Sequence, residues 1–163
     1  MASNDDAAYR SRLEAAKRAS VGQLLFKAAR LMDEQALSRI RISTKQARIR
    51  RAHTAILPHL DLEGTRLTTL AERLGVSKQA AGQLVEELEQ MGMLERLADP
   101  QDGRAKLICF SARGRKGLLH GLAVLRDLED ELAQCIGRAR MSSLRESLAA
   151  LTDELERRAP PSR

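Results

Sequence analysis

MLERLADPQDGRAKLICFS, residues 93–111, sets two apolar and basic segments on either side of a polar tip, Asp99-Pro100-Gln101-Asp102-Gly103-Arg104. Residues 93–97 and 105–111 read as two short strands, because Pro, Asp and Gly gather where a chain must reverse. The preceding residues end in Glu-Gln-Met-Gly, the profile of a helix closed at Gly92. What an arginine at the tip of such a hairpin would touch depends on the helices that lead into it.

Those helices carry an ordered set of small and apolar residues: Leu70, Ala71, Leu74, Gly75, Val76, Ala81, Leu84 and Val85. Two helices that cross closely need a small residue at the crossing, which Ala71 supplies. A glycine four positions later, Gly75, suits a turn that takes positive φ. The spacing predicts a helix over TTLAERLG, opened by a Thr69-x-x-Glu72 capping box. It predicts a second over SKQAAGQLVEELEQMG, capped by Ser77. Val76, Ala81, Leu84 and Val85 would anchor the second helix on the first. This is a helix-turn-helix, and its alternative is a plain hairpin in a helical bundle.

Charge separates the two. Between Ser77 and Val85 the second helix carries one charge, Lys78, while residues 86–89 carry three glutamates. A recognition helix enters the major groove by its N-terminal half, so its far half is free to be acidic. Lys78 can reach phosphate. Gln79 and Gln83, at i and i+4, can pair with adenine edges. Gly82 between them leaves room for the backbone to approach closely.

Outward from this pair the chain is helical. Residues 11–40 read as one long amphipathic helix with Val21, Leu24, Leu25, Ala28, Leu31 and Met32 on its apolar stripe. RIRISTKQARIRR, residues 39–51, holds six basic residues and no acidic one. Ser43 or Thr44 is placed to cap a helix with Ile49, Ala52, Ile56, Leu57 and Leu60 inward, which Pro58 should shorten. DLEGTR, residues 61–66, reads as a turn. Beyond the hairpin, Leu118, Leu122, Leu125, Leu132 and Ile136 form one stripe. Met141, Leu144, Leu148, Leu151 and Leu155 form a second, spaced three, four, three and four, the seam of helix packed on helix.

The 163 residues carry a net charge of +6, which favours a polyanionic partner. Tyr9, Phe26 and Phe110 are the only aromatic residues, too few for base stacking on single strands, so a duplex fits better. No apolar run spans a bilayer, and MASNDDAAYR lacks the apolar core of a signal peptide. The expected location is the cytoplasm, without a membrane partner. No phosphate loop, metal motif or nucleophile motif is present, so neither an enzyme nor a cofactor is expected.

Over residues 66–117 the chain resembles the MarR family of winged-helix transcription regulators, through TTLAERLGVSKQAAGQLVEELEQMGMLER and ADPQDGRAKLICFSARGRKGL. The resemblance implies a mainly α fold with a small β-wing, a winged helix-turn-helix core flanked by N- and C-terminal dimerisation helices. It divides the chain into a dimerisation helix (1–43), a DNA-binding domain (44–112), dimerisation helices (113–158) and a disordered tail (159–163). The implied protein is a homodimer that binds double-stranded, pseudo-palindromic operator DNA, most often as a repressor. Ser77, Lys78, Gln79, Gly82, Gln83, Arg104 and Lys106 would meet DNA, with Asp102 and Gly103 shaping the wing. Arg104 would enter the minor groove or fix the wing by pairing with Asp102. The family often has a second arginine where this chain has Gly103.

In the family a small-molecule pocket lies where the second helix meets the dimerisation helices. Arg48, Arg51 and His53 are candidate contacts for an anionic or aromatic effector. Cys109 and Cys135 match no zinc spacing and read as buried packing residues. A nonspecific architectural DNA binder, or a winged-helix module that binds protein, would use the same framework. The first predicts equal affinity for any duplex. The second predicts an acidic or apolar recognition-helix N-terminus, which Lys78, Gln79 and Gln83 contradict.

Overall fold

The computed structural model describes residues 4–44 and 48–158, so the expected disordered tail lies outside the described residues. In place of one helix over 11–40 there are two, α1 (Asn4–Ala19) and α2 (Val21–Thr44). Ser20 makes the break. Its Oγ accepts the Gln23 N–H at 3.3 Å, offering the backbone an alternative to a continuous helix. Ser43 and Thr44 are not caps of the next helix. Both sit in the last turn of α2 and donate back to the Ile40 carbonyl.

Instead α3 (Arg51–Thr54) starts at Arg50 and lasts one turn, followed by a 3-10 turn at Leu57–His59 that holds Pro58. Proline therefore shortens this helix, as its missing donor requires. Ile49, Ile56 and Leu60 are buried as their spacing predicts, and so is His53.

The segment read as a turn contains a strand, β1 (Thr65–Arg66). It leads directly into α4 (Leu67–Leu74), whose N-cap is Arg66. The helix thus opens two residues before Thr69, and the Thr69-Glu72 capping box does not form. Pairing of β1 fixes the chain at Arg66, and this tertiary constraint overrides the local signal. Gly75 then takes φ 65°, ψ 31° and ends α4, the left-handed position for which the sequence placed it. Ser77 caps α5 (Lys78–Gln90) by accepting the Ala80 N–H at 3.1 Å.

β2 (Leu94–Asp99) and β3 (Asp102–Phe110) form the hairpin, and β3 is the centre of a three-stranded antiparallel sheet ordered β1-β3-β2. Gly64, at φ +103°, is what lets β1 approach: a Cβ there would stand 2.6 Å from Cys109 Sγ and 2.9 Å from Leu107 Cβ. The core gathers Ile56, Leu60, Leu70, Val85, Leu88, Met93, Leu94, Ile108 and Phe110. Each such side chain, fully buried, contributes at most about 1.5–3 kcal/mol. Ala71 and Ala81 are buried, consistent with a close helix crossing, whereas Val76 is 42% exposed and is no anchor.

α6 (Ala112–Ile136) and α7 (Arg138–Arg158) complete the chain, which divides into two compact units, residues 1–121 and 122–163. In the second unit Val124, Leu128 and Ala133 are buried, while Leu122 and Ile136 of the expected stripe are exposed. Cys135 is exposed as well, against expectation; Cys109 is buried, and burial raises its thiol pKa. α7 has no buried residue, and Leu144, Leu151 and Leu155 of its seam face solvent. Among the described residues no helix is long and apolar enough to cross a membrane.

Candidate nucleic-acid interface

The first half of α5 presents a polar, nearly uncharged face. Ser77, Lys78, Gln79 and Gln83 are all exposed, and none of the last three makes a side-chain hydrogen bond or ion pair among the described residues. Gly82 does not belong to that face. Its missing Cβ points at Leu67 of α4, 3.7 Å from Cδ2, an ordinary contact distance. Gly82→Ala should therefore stabilise the protein by about 0.5–1 kcal/mol, through lower unfolded-state entropy, in urea denaturation. A lower urea midpoint would show that the backbone cannot accept the methyl.

Two of the three glutamates in the acidic half of α5, Glu87 and Glu89, are committed to the fold. Glu87 accepts both contacts of the Arg50 guanidinium at 2.5 and 2.6 Å, and its Oε2 lies 2.8 Å from His53 Nε2. His53, 2% exposed, accepts the Arg50 backbone N–H on Nδ1 at 3.3 Å, and its Nε2 also lies 3.4 Å from Arg50 Nε. Glu89 pairs with Arg96 of β2 at 3.2 Å, tying the hairpin to α5. Three of the basic residues in 39–51 are likewise engaged. Arg41 donates to the Ile49 carbonyl at 2.9 Å, Arg50 binds Glu87, and Arg51 lies 3.4 Å from Asp33. This run is mostly a set of clamps rather than an open cationic face.

These clamps set an acid limit on stability. The His53 hydrogen bond, and after it Arg50, lower the Glu87 pKa; the Gln101 backbone N–H, and after it Arg66, lower that of Asp99. A carboxylate whose folded-state pKa is depressed contributes stability that is full above its unfolded value. That contribution disappears as pH falls through the folded value. Urea midpoints should hold above about pH 4.5 as far as these groups are concerned and fall below it. Glu87→Gln should be less stable at pH 7 and show a shallower acid decline. An unchanged decline would mean that the Glu87 clamp is energetically silent.

The hairpin projects beyond the core: residues 95–98 of β2 and 102–104 of β3 are exposed. Ala98 pairs with Lys106 and Asp99 with Asp102, so the register shifts at the tip. Side chains also hold the tip. Asp99 Oδ1 accepts the Gln101 N–H at 2.9 Å, and Asp102 Oδ1 accepts the Arg104 N–H at 3.1 Å. Asp102 thus orients the Arg104 backbone, and the expected Asp102–Arg104 side-chain pair is not formed. Among the described residues the Arg104 guanidinium and the Lys106 ammonium have no ion-pair partner. A side chain at Gly103 would meet nothing within 4 Å.

The candidate effector residues separate. Arg48 and His53 line an open cleft of about 320 Å³ with Glu87, Gln90 and Met91, while Arg51 is turned to Asp33. Sequence reading missed Arg66, whose Nε donates to Asp99 Oδ2. A Gly-Thr-Arg entry to the first helix, opposite an Asp-Pro turn, was its only trace. Among the described residues no three His, Cys, Asp or Glu side chains are placed to hold a metal ion.

A helix-turn-helix followed by a β-hairpin with a free cationic tip defines the winged helix-turn-helix class. Residues 49–105 match the model of the MarR family. No curated protein sequence matches the chain. Among solved structures, RV1404 from Mycobacterium tuberculosis is 23% identical with a TM-score of 0.68, covering 88% of this chain and 95% of that one. The transcriptional repressor CouR, solved bound to a 23-mer DNA duplex, is 22% identical with a TM-score of 0.60, over 82% and 92%. MepR, a regulator of the Staphylococcus aureus multidrug efflux pump MepA, is 18% identical with a TM-score of 0.62, over 83% and 98%. These likenesses extend the shared fold across most of the chain.

Proposed function

We propose that the protein is a homodimeric regulator of transcription that binds pseudo-palindromic double-stranded operators, acts as a repressor and is released by a small-molecule effector. The observation that carries this reading is the exposed, unengaged face of Lys78, Gln79 and Gln83, with the free cations Arg104 and Lys106 on the adjoining wing. A MarR-family segment at this position, and a similar fold in a repressor solved on a DNA duplex, support it. In this reading Ser77 and Lys78 meet phosphate, Gln79 and Gln83 read base edges, and the wing lies along the minor groove.

The dimer rests on apolar surface that one chain leaves uncovered. Val21, Leu24 and Phe26 of α2 and Leu144, Leu151 and Leu155 of α7 are all more than a third exposed. Residues 1–43 and 113–158 are therefore assigned to dimerisation. The effector is an anionic or aromatic molecule. Arg48, which lines the cleft, supplies the cation, and CouR has also been solved with p-coumaroyl-CoA.

Footprinting on the native promoters tests the whole reading. Paired half-sites about one helical turn apart, roughly 34 Å, are expected. Equal protection of all duplexes would leave an architectural binder instead. Sedimentation should give a dimer at micromolar concentration, and a monomer there would overturn that part.

A further inference from the structure

Arg66 stands at a junction: it is the last residue of β1 and the N-cap of α4. Its side chain reaches across β3 to the wing turn, where Nε donates to Asp99 Oδ2 at 2.7 Å and Nη2 approaches the same oxygen at 2.5 Å. Nη2 also lies 4.0 Å from Asp102 Oδ2. Asp99 is 6% exposed, unusually buried for a carboxylate on an otherwise solvated hairpin. Its other oxygen is taken by the Gln101 N–H, and Asp102 in turn holds the Arg104 N–H. The hairpin register shifts between Ala98 and Asp99, and at this irregular tip the chain of bonds orients the turn.

We propose that Arg66 is a positioning residue for the wing: through Asp99 and Asp102 it locks the tip to the start of the helix-turn-helix, so that the Arg104 guanidinium is presented in one orientation. The lock is charge-assisted and two-pronged, which a lysine cannot reproduce. Holding a cation in its bound geometry lowers the ordering cost of association. Arg66 then acts on affinity without itself touching phosphate. Its effect on DNA rests on the function proposed above; its effect on the wing does not.

Two measurements on the full-length protein separate these levels. Hydrogen exchange of the Gln101 and Arg104 amides should quicken at least about tenfold in Arg66→Gln, while Val85 and Ile108 stay protected, as expected for local opening. Arg66→Gln/Asp99→Asn removes the buried unpaired carboxylate and should show the same exchange. Binding is then read on a promoter duplex recovered by footprinting, with a mixed-sequence duplex of equal length as reference. Arg66→Gln and Arg66→Lys should weaken binding about fivefold or more, with an unchanged slope of log affinity against log salt. In an Arg104→Ala background the same changes should add almost nothing. Unaltered exchange at Gln101 and Arg104 would overturn the lock. A salt slope reduced by about one would make Arg66 a phosphate contact instead. Full additivity with Arg104→Ala would likewise overturn the positioning role. If the wild type protects no promoter, the DNA-binding reading fails while the exchange result still decides the lock.

Discussion

On the proposed function, Arg104→Ala is expected to weaken binding to a DNA duplex by at least about tenfold while leaving the oligomeric state unchanged, the size of one well-placed contact to DNA. Arg104 is exposed, its backbone is held by Asp102, and its guanidinium has no competing ion pair among the described residues. A narrow minor groove concentrates negative potential, so a lone presented arginine gains most there. The same variant should flatten the salt dependence by about one ion. Fluorescence anisotropy across a salt series reads both effects, and unchanged affinity would remove Arg104 from the interface. Gly103→Arg gives the converse. Gly103 is not held at positive φ and its Cβ would meet open space, so a second cation fits without strain. Affinity should rise severalfold and the slope steepen by about one. A fall in affinity would mean that the tip packs too closely on DNA for a side chain there.

Gly114→Ala should be the most damaging small substitution in the chain. A Cβ at Gly114 would sit 1.9 Å from the Met93 carbonyl oxygen and 2.9 Å from its carbon, both backbone atoms that cannot rotate away. The approach is built by Ser111, whose Oγ donates to the Gly92 carbonyl at 2.6 Å and accepts the Gly114 N–H at 2.9 Å. Ser111 N–H also bonds to Met93 O at 3.1 Å. Opening this corner would lift the start of α6 from the junction of α5 and β2. The expected cost is about 3 kcal/mol or more, at the upper end for inserted methyls. Thermal unfolding measures it, and a melting temperature within a degree of wild type would show that α6 moves freely.

Serine followed three residues later by glycine, after a strand, was legible as a family-like pattern; the reason for it was not. Ser111 and Gly114 matter because of Gly92 and Met93, about twenty residues away. The same distance problem hid Arg66, whose partner Asp99 is 33 residues on, and the pairings that Arg50, Arg51 and His53 make. Their partners, Glu87 and Asp33, are charges that sequence treats as separate runs. Local competition explains other differences. Ser20 divides a helix that periodicity alone joins, and the pairing of β1 moves the start of α4 ahead of its capping signal.

Short-range physics was enough for much of the molecule. The small residue at the helix crossing, the left-handed turn at Gly75, the Ser77 cap, the stop at Gly92 and the Asp-Pro-rich reversal each depend on neighbours within a few positions. So does the uncharged front and acidic back of α5. Sequence by itself therefore determined a helix-turn-helix followed by a hairpin, and which helix face stays open. Tertiary structure decided which charges remain available to a partner. Long flexible side chains choose among acceptors brought together only by folding, so Arg50, Arg51, Arg66 and Arg96 became internal clamps. Among the described residues, Lys78, Lys106 and Arg104 were left without an ion pair at the surface.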